Sequence, residues 1–247
     1  FAVNQIVVLK ISGAINPAVA EFVSHEIHKA NEDQQALIVL NMDTPGGLDT
    51  SMRQIIKKIQ SSEVPVATYV SPSGSRAASA GAFITIASHI AAMAPGTNIG
   101  AANPVNMMGG GGEGGQAKTM KEKVVNDAAA YIRSLAELRK RNSHWAELAV
   151  VKSVSISAEE AKKLNVIDLI ATDIQALILA VDNREVLVVS GNKLLKTANQ
   201  EIVFHEMNTR QKMLDIISNP NVVYILLMIG MVGLYFELSN PGLVFPG

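Results

Sequence analysis

The chain has 247 residues, 48% of them hydrophobic, a formal net charge of −1 and no cysteine. That length supports one substantial core with a small appendage. The balanced charge, with no basic cluster beyond Arg139-Lys140-Arg141, which reads as the close of a helix where cations complement the dipole, argues against a nucleic-acid partner, and the missing cysteines exclude disulfides, thiol catalysis and cysteine-ligated metal.

Strand and helix patterns alternate from the start. Ile6 to Ile11 reads as an apolar strand, Pro17 to Glu32 as a helix, Ala36 to Leu40 as a buried strand, Leu48 to Ser61 as a helix and Val64 to Val70 as a further strand. A helix from Ala77 to Ser88, a strand from Ile90 to Ala94 and a short strand from Ile99 to Ala101 continue the series. Repeated strand-helix units predict an α/β fold with a mainly parallel sheet and helices on both faces. Met107 to Gln116 is glycine-rich, lacks the Gly-Lys-Ser/Thr ending of a phosphate-binding loop, and reads as a mobile loop bordering the site or a plain solvated insertion. Helices follow from Thr119 to Asn142 and from Trp145 to Val151. Ser157 with Glu160 forms a capping box that opens another helix, Asn165 suits the left-handed residue that ends it, and Val166 to Ala171 returns as a strand. A helix from Asp173 to Ala180 precedes strands Val186 to Val189 and Glu201 to Phe204, expected to pair as a small antiparallel appendage. From Asn219 to Phe236 no residue is charged. Eighteen such residues make roughly 27 Å of helix, close to the thickness of a bilayer core, so residues 221–238 are expected to cross the membrane. A buried or dimer-forming apolar helix is the alternative.

The chemistry concentrates at two places. Ser79 lies in Arg76-Ala77-Ala78-Ser79-Ala80-Gly81 at a helix start, where unpaired N–H groups and the positive dipole end would stabilise a developing oxyanion. The turn Asp43-Thr44-Pro45-Gly46-Gly47 follows a strand end, where ligand crevices form in parallel sheets, and either Gly46 or Gly47 would offer a second backbone donor beside Ala80. Small residues on both segments (Pro45, Ala78, Gly81) would let a substrate backbone come close. Taken singly, Ser79 is also an ordinary helix cap and Gly46-Gly47 an ordinary turn.

With Met93-Ala94-Pro95-Gly96-Thr97-Asn98-Ile99-Gly100-Ala101 as a third ordered motif, the sequence resembles the protease domain of the long NfeD proteins, membrane-bound partners of stomatin. The resemblance spans nearly the whole chain. It implies a ClpP/crotonase-like fold related to signal peptide peptidase A, serine endopeptidase activity without a cofactor, and apolar peptide substrates such as the C-terminal region of a stomatin. It also implies a membrane location with the protease domain extracytoplasmic, a homodimer or higher oligomer, and further spans beyond residue 247. The domain reading is 1–182 for the protease domain, 183–218 for the β appendage and an amphipathic linker helix, and 219–247 for the membrane helix.

A serine needs a base. His89 follows Ser79 at the far end of the same helix, roughly 15 Å away at 1.5 Å per residue, too far to reach. His25 and His28 share a helix face without metal-ligand spacing. A desolvated lysine suits the task, and Lys118, Lys121 and Lys123 open the long helix. In the family the lysine lies a little over two turns before a Tyr-Ile-basic-Ser-Leu-Ala segment. Here that segment is Tyr131 to Ala136, which implies Lys123, with Lys121 as the alternative if the helix begins earlier. Two other readings stand beside the protease: a non-enzymatic scaffold for stomatin-like oligomers, and a crotonase-type acyl-CoA enzyme using the same oxyanion hole.

Overall fold

The computed structural model describes residues 4–104, 115–218 and 220–239; the glycine-rich stretch 107–114 lies outside them. Strands β1 (Ile6–Ser12), β2 (Leu37–Asp43), β3 (Val66–Val70), β5 (Ile90–Met93) and β8 (Leu169–Ile170) form a parallel sheet, with β11 (Ile202–His205) along β1 at one edge. A smaller sheet carries β4 (Arg76–Ala78), β6 (Asn98–Gly100) and β7 (Ser155–Ser157). Period-two alternation divides the main strands between two cores. Val7, Leu9, Ile11, Ile38, Leu40 and Met42 face α1 (Pro17–Glu32), α2 (Asp49–Gln60), α3 (Ala80–Ala87) and the packed parts of α4 (Gly115–Leu138) and α5 (Ser143–Val151). Ile6, Val8, Leu37, Val39 and Tyr69 face α7 (Ile174–Val181) and β9 (Glu185–Val188). One face is thus covered mainly by helices, with Ala77 of β4 and Ile99 of β6 in the same core, and the other is shared between a helix and a hairpin.

Helix α6 (Ala158–Lys163) begins at the expected capping box and gives way to Asn165 at φ 56°. Three expectations need correction. Ala77 and Ala78, read as the start of a helix, form β4, and α3 begins at Ala80. The appendage is a hairpin of β9 with β10 (Gly191–Leu194), and the strand near Glu201–Phe204 leaves it to join the main sheet parallel to β1. Arg139 and Arg141 do not serve the end of their own helix. Arg141 is buried and donates through Nη1 to the carbonyls of Thr85, Ile86 and Ser88, while Arg139 Nε donates to Ala87 at 3.0 Å. Both cations therefore close the C-terminus of α3, where the dipole favours them.

Asp168 completes this cluster, accepting from Arg141 Nη2 at 2.5 Å, Arg184 Nη2 at 3.0 Å and the Ala91 N–H at 2.7 Å. Burial raises its pKa, but Arg141, the Ala91 N–H and Arg184 outweigh burial and hold it below the usual carboxylate range. Asp168→Ala should destabilise the chain by about 3–5 kcal/mol, because it leaves a buried guanidinium without its carboxylate. Its folded pKa being depressed, the contribution is full above the unfolded value of about 3.9 and fades as pH falls through the folded value. Urea unfolding of parent and variant should therefore differ at pH 7 and converge in acid.

Candidate active site

Strand β2 does not stop at the main sheet edge. Thr44 pairs with Ala77, its N–H donating to Arg76 O at 2.8 Å and its carbonyl accepting from Ala78 N–H at 3.1 Å, so the end of β2 is sewn to β4. The glycine turn and Ser79, thirty-odd residues apart in sequence, meet there. A Cβ on Gly46 would lie 2.6 Å from Ser79 Cβ and 3.1 Å from its Oγ. Gly46 also has φ +118°, a conformation that disfavours any side chain.

Ser79 occupies the N-cap position of α3 with φ 51° and ψ −116°, and its side chain does not cap the helix. Serine rarely tolerates this backbone, and such strain persists only where surrounding structure enforces it. Enforcement comes from the Ser79 N–H donating to Gly100 O at 3.0 Å and from the Thr44–Ala77 bridge two residues earlier. The half-buried hydroxyl is left for another task. Because no side chain caps α3, the N–H groups of Ala80 and Gly81 have no partner among the described residues.

The two glycines of the turn play different parts. The Gly46 N–H donates to Thr44 Oγ1 at 3.0 Å and is occupied. The Gly47 N–H has no partner among the described residues, although its neighbours bind Ile15: Ile15 N–H donates to Gly46 O and Leu48 N–H to Ile15 O. Gly47 must be glycine because a Cβ there would meet Ile15 O at 2.1 Å. Of the donors considered from sequence, Gly47 and Ala80 remain available, and Gly46 supplies room for the serine. Gly81, expected along the substrate, packs inward instead: a Cβ there would lie 2.5 Å from Thr44 Cγ2. Pro45 is exposed and Ala78 half-buried beside the serine.

Gly46→Ala should reduce any activity of Ser79 by roughly hundredfold or more, since the methyl group displaces the serine by an appreciable fraction of an ångström or greater. It should also cost about 1–3 kcal/mol of backbone strain. Turnover measured beside thermal unfolding would separate the two effects.

His89 is removed as the base. His89 accepts from the Val66 N–H at 3.1 Å through Nδ1, at the opposite end of α3. Burial first, then the charges of Arg139 and Arg141, lower its pKa to about 3. It is a neutral structural group.

Helix α4 approaches from the correct direction. Tyr131 stacks on Phe83 with ring centroids 6.0 Å apart, and further along both helices Arg139 reaches Ala87, so α3 and α4 run the same way. Moving back from Tyr131 leads toward the Ser79 end, Lys123 lying roughly 12 Å before Tyr131 along the axis. Arg53 of α2 fixes this approach: it bonds Asp49 at 2.9 Å, Asp127 at 2.5 Å and lies 4.4 Å from the Tyr131 ring centroid. No sequence signal marked Arg53 or Phe83, and Thr44 and Gly100 stood in the motifs named above without a role of their own. The second glycine of Gly96-Thr97-Asn98-Ile99-Gly100 was the only sequence hint, and its φ of +136° with a Cβ position 2.3 Å from Val154 O explains it. Among the described residues no apolar pocket encloses Lys123: Lys121 and Lys123 are both exposed on the first turns of α4.

A parallel α/β core with a small second sheet, and a strained serine at a helix start inside a glycine cradle, defines a ClpP/crotonase-like domain. The chain belongs to the NfeD1b N-terminal domain family, whose model matches residues 5–203. It is 36% identical over 98% of its length to the membrane-bound protease PH1510 of Pyrococcus horikoshii, covering 54% of that protein, and 28% identical over 99% to the membrane protein NfeD1b of Bacillus subtilis, covering 53%. The chain thus spans about half the length of these curated relatives. Among solved structures, it is similar to the 1510-N membrane-bound stomatin-specific protease. A lysine-to-alanine mutant with a substrate peptide gives TM-score 0.79 at 34% identity, covering 88% of this chain and 99% of that one. A serine-to-alanine mutant gives TM-score 0.76 at 35% identity, covering 84% and 100%.

Proposed function

We propose that this chain is the peptidase part of a membrane-bound serine protease that cuts apolar peptide segments, with Ser79 as nucleophile and Lys123 as general base. The observation that carries the reading is Ser79 itself, held at positive φ, excluded from capping and pressed against Gly46. Neutral Lys123 would take the hydroxyl proton, Oγ would attack the scissile carbonyl, and the N–H groups of Gly47 and Ala80 would hold the oxyanion. The same lysine as ammonium would then protonate the leaving amine.

An exposed lysine is a poor base at neutral pH, so an apolar substrate lying over the first turns of α4 would have to complete the pocket. Substrate and base are thereby linked: only a segment that excludes water activates the serine. The substrate we favour is the apolar C-terminal region of a partner stomatin, in keeping with the name of the 1510-N protease and with the mutants and peptide complex made of it. We place the domain on the extracytoplasmic side, in a homodimer or larger assembly.

The exposure of Lys123 is also the one observation favouring a non-enzymatic scaffold. Incubating the chain in detergent with an apolar peptide patterned on a stomatin C-terminus, and reading cleavage by mass spectrometry from pH 6 to 9, decides between them. Cleavage rising toward alkaline pH is expected. No cleavage at any pH would leave the scaffold as the better reading.

A further inference from the structure

Helix α8 (Thr209–Ile217) is amphipathic the wrong way round for a helix resting on a soluble domain. A capping box of Asn208 with Gln211 fixes its start. Its half-buried residues are Gln211 and Asp215, one turn apart on the side that meets α1. Asp215 Oδ1 accepts from Asn16 Nδ2 at 2.6 Å. At 100° per residue, Met213 and Ile217 project from the opposite side, flanked by Ile216. These three are 58%, 49% and 58% exposed respectively. A helix that docks by apolar contact shows the reverse pattern.

Helix α9 (Pro220–Ser239) begins three residues after α8 ends, and its segment Val222–Ser239 is long and apolar enough to cross a membrane. The outward apolar side of α8 is therefore continuous in the chain with that segment. Arg210 and Lys212 are both exposed, Lys212 paired with Glu206 at 2.8 Å, and Arg210 in particular suits an anionic headgroup layer.

Asn16 is also the N-cap of α1 and follows Ile15, the residue paired with Gly47. One side-chain hydrogen bond and one residue of chain therefore separate α8 from the glycine turn of the site.

We infer that α8 lies in the bilayer interface and, through Asp215 and Asn16, seats the active-site edge of the domain on the membrane surface, so that the peptide cut is one lying along or just emerging from the same membrane. The part concerning substrate rests on the protease reading. The part concerning α8 does not.

The native chain has no cysteine, so single nitroxide labels can be placed at Met213→Cys, Ile217→Cys and Lys212→Cys in the whole chain. In phosphatidylcholine–phosphatidylglycerol vesicles, labels at 213 and 217 should collide more with oxygen than with a water-soluble nickel chelate, and the label at 212 the reverse. Labels at 213 and 217 as accessible to nickel as the one at 212 would overturn the inference. Protection from both reagents, the mark of a second copy packed on the helix, would overturn it equally. For the substrate, the Met213→Lys/Ile217→Lys double variant should lower the ratio of vesicle-embedded to soluble peptide cleavage roughly tenfold. An unchanged ratio would show that seating does not select the substrate. Because the labels report without proteolysis, failure of the protease reading cannot be mistaken for failure of the membrane seat.

Discussion

Ser79→Ala is expected to lower peptide cleavage by about five to six orders of magnitude while leaving the fold intact. The size follows from removing the nucleophile of a group that acts as a unit, where loss of the serine alone eliminates nearly all of the dyad's contribution. The intact fold follows from the hydroxyl's idleness: it neither caps α3 nor makes a hydrogen bond among the described residues. Substituting glycine sharpens the test. Ser79→Gly should be equally inactive yet more stable than the parent by about 1–2 kcal/mol, since it relieves a positive φ of 51° that serine adopts under strain. A more stable but dead variant would identify the strain as serving function. Thermal unfolding of parent and both variants, beside a cleavage assay, measures it.

Lys123→Ala should reduce kcat by about 10²–10⁴, the range for loss of a positioned general base, with a smaller change in KM. Lys123→Arg should fail to rescue, because a guanidinium does not give up its proton in the working range. Lys121→Ala, which removes an exposed side chain two residues before Lys123 and off its helix face, should change kcat by less than about threefold, as expected for a surface position remote from the chemistry. If Lys121→Ala proved the more damaging, the base would move to Lys121. The position of Arg53 bears on this result. By pairing with Asp127, the residue one turn after Lys123 on the same helix face, it engages the carboxylate that would otherwise be free to pair with the lysine.

Much of the architecture was legible in the sequence because most signals were local. Strands β1, β2, β3 and β5 announced themselves as apolar runs, the capping box at Ser157 opened α6 as expected, and the glycine turn and Ser79 were recognisable from small residues in characteristic places. The misreadings arose where partners are distant. Ala77 and Ala78 favour a helix, yet Thr44 and the strand Asn98–Gly100 draw them into β4, which is what forces Ser79 into its strained corner. The strand at Ile202–His205 pairs with β1 nearly two hundred residues away, a choice no pattern in its own neighbourhood reveals. Arg139 and Arg141 looked like the end of their own helix, but their carbonyl partners belong to α3.

In the site, residue identities were easier to read than assignments among them. Sequence left Gly46 and Gly47 as equivalent donors; the Thr44 hydroxyl distinguishes them by occupying the first. Burial of Lys123 was inferred from the needs of a lysine base, and the described residues leave the side chain exposed. Apolar cover from bound substrate, as proposed above, makes the lysine the element of the site most dependent on what the chain binds.

The most direct test of the account is covalent labelling of the active serine. The parent chain and Lys123→Ala, in detergent at mildly alkaline pH, would be treated with a serine-directed phosphonate bearing an apolar peptide, and the site of attachment read by peptide mass spectrometry. The account predicts stoichiometric modification of Ser79 in the parent and little in Lys123→Ala. Modification at another serine, or of Ser79 at the same rate without Lys123, would contradict it.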